Sequence, residues 1–145
     1  MAGHLRAALA ALGLFAAPLS GPSAAEETAA NGSPEGRALI ERQLDAFAHD
    51  DAAGAYAEAA PGIAAMFPDA DTFMAMVRGR YAPVYRHRSV AFGPARIDGD
   101  TIEQAATFVD PDDQVWQALY RLTRQPDGTW LISGCSLVKS DEKSI

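Results

Sequence analysis

Three groups of side chains in this sequence have the types and spacing for chemistry. His49, Asp50 and Asp51 set an imidazole beside two carboxylates, a combination suited to a metal ion or a phosphoryl group. Neighbouring helical residues point in different directions, and beyond His4 the only other histidine is His87. A multi-histidine centre cannot be built, capping accounts for the aspartates, and no metal or other cofactor is expected. Arg78, Arg80, Arg86 and Arg88 are interleaved with Tyr81, Tyr85 and His87. Guanidinium forks grip carboxylates bidentately and tyrosines can flank them, so Tyr85, Arg86 and Arg88 are candidate ligands of an anion clamp. The competing account is a solvated strand face paired with some of the many acids. Tyr56, Gln104, Trp116 and Tyr120, with Trp130, form the third group: they suit either a concave apolar pocket with a few polar tips or a plain core.

The elements that must carry these groups follow from the pattern. Ser33 and Pro34 start a helix on which Ile40, Leu44 and Phe47 share a face. Asp50 and Asp51 cap a short second helix bearing Ala55, Tyr56 and Ala59, which Pro61-Gly62 ends. Ile63, Met66 and Phe67 make an apolar turn, and Asp69 and Asp71 offer caps for a helix with Phe73, Met76 and Val77 on one side and Gly79 as its stop. After Pro83 the period changes to alternation. Turn signals at Asp98-Gly99, Pro111-Asp112-Asp113 and Pro126-Asp127-Gly128 divide it into strands at 84–97 (broken at Gly93-Pro94), 101–109, 115–124 and 129–138.

This order predicts an α+β fold, with amino-terminal helices packed on a curved antiparallel meander. Alternation turns Trp116, Ala118, Tyr120 and Leu122 inward, with Trp130 and Ile132 opposite them and Ile102, Gln104, Ala106 and Phe108 on the preceding strand. Leu131, Ser133 and Cys135 then face outward with Gln117, Leu119 and Arg121, a surface suited to a homodimer. No acid or histidine falls on the inward strand face. A catalytic carboxylate must come from Asp45, Asp50, Asp51 or Glu58 on the helices.

Composition bounds the class. The chain has 145 residues, one cysteine and a formal net charge of −7. That is one domain without a disulfide framework, and its charge disfavours nucleic acid as a partner. Residues 1–25 read as a signal peptide: His4 and Arg6 precede an apolar run from Ala7 to Leu19, and Ser23-Ala24-Ala25 fits a cleavage site before Glu26. Later segments are too short to span a membrane. The expected protein is exported, periplasmic or secreted, with a flexible lead-in at 26–32 and one domain at 33–140.

The segments QLDAFAHDDAAGAYAEAAPGIAAMF (Gln43 to Phe67), FMAMVRGRYAPVYRHR (Phe73 to Arg88) and QALYRLTRQPDGTWLISGC (Gln117 to Cys135) resemble a bacterial exported domain-of-unknown-function family. Its members have the cystatin-like cone of the nuclear transport factor two superfamily. The resemblance implies that cone and no catalytic residues, since the same cone carries isomerases, dehydratases and non-catalytic binding modules. With no inward acid, the expectation is a non-catalytic module that binds a small apolar or anionic ligand, such as a carboxylate, or a protein partner. The alternative is a lyase, isomerase or hydrolase that pairs a cone-interior tyrosine, Tyr56 or Tyr120, with a helix carboxylate.

Overall fold

The structure is a computed structural model that describes residues 32–143. The expected signal peptide and residues 26–31 of the lead-in lie outside the described residues.

Helix α1 (Pro34–Ala48) begins where the sequence puts its cap: the Ser33 hydroxyl accepts from the Gly36 amide at 3.2 Å and Pro34 occupies the first turn. Leu39, Ile40, Gln43, Leu44 and Phe47 form its buried face. Asp51 caps α2 (Ala52–Ala57) through the Gly54 amide at 2.9 Å. A four-residue turn of helix, α3 (Pro61–Ala64), follows the Pro61-Gly62 break. Asp69 caps α4 (Ala70–Arg80) through the Thr72 amide at 2.7 Å. Gly79, expected as the stop, lies inside α4, which ends one residue later at Arg80 with Tyr81 as its cap. The segment expected to open the first strand is instead α5 (Ala82–Tyr85), with Pro83 in its first turn, where a missing amide hydrogen costs nothing.

The sheet is the expected antiparallel meander, β1 (Ser89–Asp98), β2 (Thr101–Val109), β3 (Gln114–Arg124) and β4 (Trp130–Lys143), in the order β1-β2-β3-β4. The register of β1 shifts between Phe92 and Ala95, where Gly93 and Pro94 stand. Strand parity holds on the inner strands: Ile102, Gln104, Ala106, Phe108, Ala118, Tyr120 and Leu122 are buried. Trp116 and Trp130 share this side but are half-buried, with the Arg124 guanidinium 5.1 Å above the Trp130 ring. Helix α1 packs on this face so closely that a β-carbon at Gly36 would stand 3.0 Å from Leu122 Cδ1, and that leucine would have to give by a few tenths of an ångström. The helical layer is sewn to the sheet edge by two backbone bonds, Ala60 N to Ile132 O at 2.7 Å and Ile132 N to Glu58 O at 2.8 Å.

A second bulge alters the last strand. Arg121 pairs with Gly134 but Leu122 pairs with Ile132, so Ser133 is an extra residue. An inserted residue inverts the parity of everything after it. Cys135, expected on the outer face, therefore pairs with Tyr120 on the inner one. The outer face, expected to carry a homodimer contact, leaves Leu119 46% and Val138 63% exposed.

Candidate functional site

Between the inner sheet face and the helices lies a cavity of about 330 Å³. Its wall is mostly apolar. Phe47 comes from α1, Ile63 from α3, Phe73, Met76 and Val77 from α4, Val84 from α5 and Ile132 from β4, with Met66 and Phe67 from the turn after α3. Its polar atoms belong to Gln43, Arg80, Tyr81, Tyr120, Ser133 and Cys135. The lining contains no Asp, Glu or His among the described residues.

Tyr120 is the unusual member. Its side chain is 2% exposed, and its hydroxyl is the sole buried side-chain polar atom without a hydrogen-bond partner among the described residues. Such a group costs about 1–3 kcal/mol. The Cys135 thiol sits beside it without meeting hydrogen-bond geometry; its sulfur instead lies 3.8 Å from the Ser136 carbonyl. Burial pushes the Tyr120 phenol well above its ordinary value, and a charge on Cys135 would push it further. Burial likewise pushes the Cys135 thiol up to about 12. Both groups stay protonated near neutral pH, so the thiol is no nucleophile and the phenol is a donor. Tyr81 donates to the Cys135 carbonyl at 2.9 Å. Burial raises its phenol as well, against the opposing field of Arg80.

The other residues singled out from the sequence are placed elsewhere. The Tyr56 hydroxyl is used on the Ala64 and Phe67 carbonyls, both at 2.9 Å, pinning the turn after α3. Gln104, fully buried, accepts from the Ser33 amide at 3.0 Å and donates to the Gly93 and Ala105 carbonyls at 2.9 and 2.8 Å. It is a latch between the start of α1 and the β1 bulge. Gly32 passes over it with φ of +89°, where a β-carbon would come within 2.8 Å of its Oε1.

In the arginine segment, Tyr85 and His87 turn inward and Arg86 and Arg88 outward. The Tyr85 ring is buried and its hydroxyl donates to the Asp50 carboxylate, while the His87 ring packs edge-on against Phe108 with centroids 5.3 Å apart. Arg86 bonds Asp50 and the Phe47 carbonyl, each at 2.7 Å, and lies over the Tyr85 ring. Arg88 pairs with Asp113 at 2.6 Å. Trp116 donates its indole N–H to Asp110 at 2.9 Å, which is the main reason that carboxyl lies below its usual value. Trp116 and Arg86 share a shallow depression with Arg80 and Asp112, outside the cavity that Tyr120 lines.

The helix carboxylates are also spoken for. Glu58 pairs with Arg42 and Asp50 with Arg86, Asp45 lies 3.5 Å from the exposed His49 imidazole, and Asp51 caps α2. The cavity thus rests on one predicted residue, Tyr120, and on Gln43, Arg80, Tyr81 and Cys135, which sequence reasoning did not assign to it. Two signals were present. Gln43 stands at helical spacing between Leu39 and Phe47, and Gly134 inside a strand marks a bulge.

Helices laid on a four-stranded antiparallel meander, with a pocket between the layers, define an NTF2-like cone domain. Residues 29–145 match the model for "Domain of unknown function (DUF4864)", and the chain belongs to that family. A crystallised NTF-2 like protein of unknown function from Silicibacter pomeroyi DSS-3 is similar in fold, with a TM-score of 0.51 at 14% identity over 73% of this chain and 93% of that one. A Kribbella flavida DSM 17836 protein of known structure aligns with a TM-score of 0.45 at 19% identity, over 78% of this chain and 88% of that one. No curated protein matches the chain.

Proposed function

We propose that this domain is a non-catalytic binding module whose cavity takes one small, mostly apolar molecule with a neutral hydrogen-bond acceptor. The observation that carries this reading is the buried, unpartnered Tyr120 hydroxyl in an apolar wall. A ligand oxygen is the missing acceptor, and it must be uncharged because an ion beside Tyr120 would be desolvated with no buried cation to offset the cost. A volume of about 330 Å³ lies at the small end of ligand sites. What favours binding over proton transfer is the placement of the helix carboxylates: Asp50, Asp51 and Glu58 are engaged in a cap or ion pair, and none of these or Asp45 lines the cavity. The high-lying phenol and thiol point the same way, since a proton-transfer group works best with a pKa near the operating pH.

The test is fluorescence titration with the uncharged probe N-phenyl-1-naphthylamine. The parent should give a saturable, one-site rise. Met76→Trp, which fills the cavity from a half-buried position, should weaken binding at least tenfold while keeping the parent's melting profile. Equal titrations in the two proteins would place the probe elsewhere and end the proposal.

A further inference from the structure

The cavity wall holds a single charged residue, Arg80, and its position limits the ligand further. Arg80 sits in the last turn of α4, is exposed, and lines both this cavity and the depression it shares with Arg86, Asp110 and Asp112, which puts it on the cavity's rim. Arg37, Arg42, Arg86, Arg88 and Arg124 each pair with an acid within 4.0 Å, and Arg78 lies over the Tyr85 ring. Arg80, like Arg78, Arg96 and Arg121, has no ion pair among the described residues, but of these four it alone lines the cavity. In a chain of net charge −7, an unpaired guanidinium beside an apolar opening is the complement of an anionic head group.

We infer that the ligand is an amphipathic carboxylate, with its apolar body in the cavity and its carboxylate on Arg80 at the mouth. This rests on the binding reading above and adds the charge and polarity of the ligand to it. The carboxylate keeps part of its hydration at the exposed guanidinium, so no ion is buried. Tyr120 is left for a neutral oxygen on the ligand body.

The experiment displaces N-phenyl-1-naphthylamine from the full domain with decanoate and with decan-1-ol, which share a chain length and differ in head-group charge. The quantity read is the ratio of the two displacement constants, which cancels general changes in the cavity. In Arg80→Gln that ratio should shift about fivefold against decanoate at low salt. The shift should shrink at 1 M salt, where screening acts over about 3 Å. Arg80→Lys should retain most of the preference, and Arg78→Gln, on the same helix but turned to Tyr85, should leave it unchanged. An unaltered ratio in Arg80→Gln, with the probe still bound and displaced, would overturn the carboxylate seat and leave the binding reading intact. Failure of the probe to bind the parent would overturn both.

Discussion

Phe108→Ala should cost about 3–5 kcal/mol of folding stability. The ring is fully buried on β2, edge-on to His87 and 6.5 Å from the Tyr120 ring centroid. It joins the α5–β1 corner to the middle of the sheet, and neither side can collapse into the space it leaves, because β2 is hydrogen-bonded on both edges. Urea melts of parent and variant check this. A loss below about 1 kcal/mol would mean that the residue packs against something softer than a close-packed core. Tyr120, which leans on this ring, should also lose its fixed position, so probe affinity should fall with stability.

Gln104→Leu should cost about 2–4 kcal/mol although it adds an apolar side chain of similar size. The amide satisfies the Ser33 N–H and the Gly93 carbonyl from a fully buried position. Leucine leaves the buried Ser33 N–H without its partner, at about 1–3 kcal/mol, and also removes the bonds to the Gly93 and Ala105 carbonyls. Gln104→Glu separates the two halves of the latch. It keeps an acceptor for Ser33 but turns an oxygen toward the Gly93 and Ala105 carbonyls, so burial and the lack of a donor must raise its folded pKa above the unfolded value of about 4.3. A raised folded value means that stability is full below the unfolded value and is lost as pH rises through the folded one. Gln104→Glu should therefore be closer to the parent at pH 5 than at pH 8. Equal deficits at both pH values would show that the side chain has reached water.

The contrast between Gln104 and Tyr120 shows what was legible in the sequence. Both fall on the inward parity of their strands, and strict alternation on β2 and β3 was enough to place them there. Their roles diverge because of partners contributed from far along the chain. Ser33, 71 residues away, occupies the Gln104 amide, whereas no N–H or carbonyl reaches the Tyr120 hydroxyl. Parity cannot report such encounters. The arginine segment failed to form a clamp for the same reason: Asp50 and Asp113 reach Arg86 and Arg88 from other elements. Capping signals are local, and Ser33, Asp51 and Asp69 were legible as caps because each bonds an amide three residues on. Cys135 was misplaced by a single inserted residue. Alternation counted through Ser133 turns it to the outside, and only the register slip opposite Arg121 brings it beside Tyr120.

The central claim is that the Tyr120 hydroxyl donates to an oxygen of a bound apolar ligand, and the infrared carbonyl stretch of decan-2-one reads that bond directly. Difference spectra of the saturated parent should show the stretch moved to lower frequency than in alkane, as a carbonyl does on accepting a hydrogen bond. In Tyr120→Phe the ketone should still bind, more weakly, with its stretch back at the alkane position. A bound ketone with the same frequency in both proteins, or a parent that binds no ketone, would contradict the account.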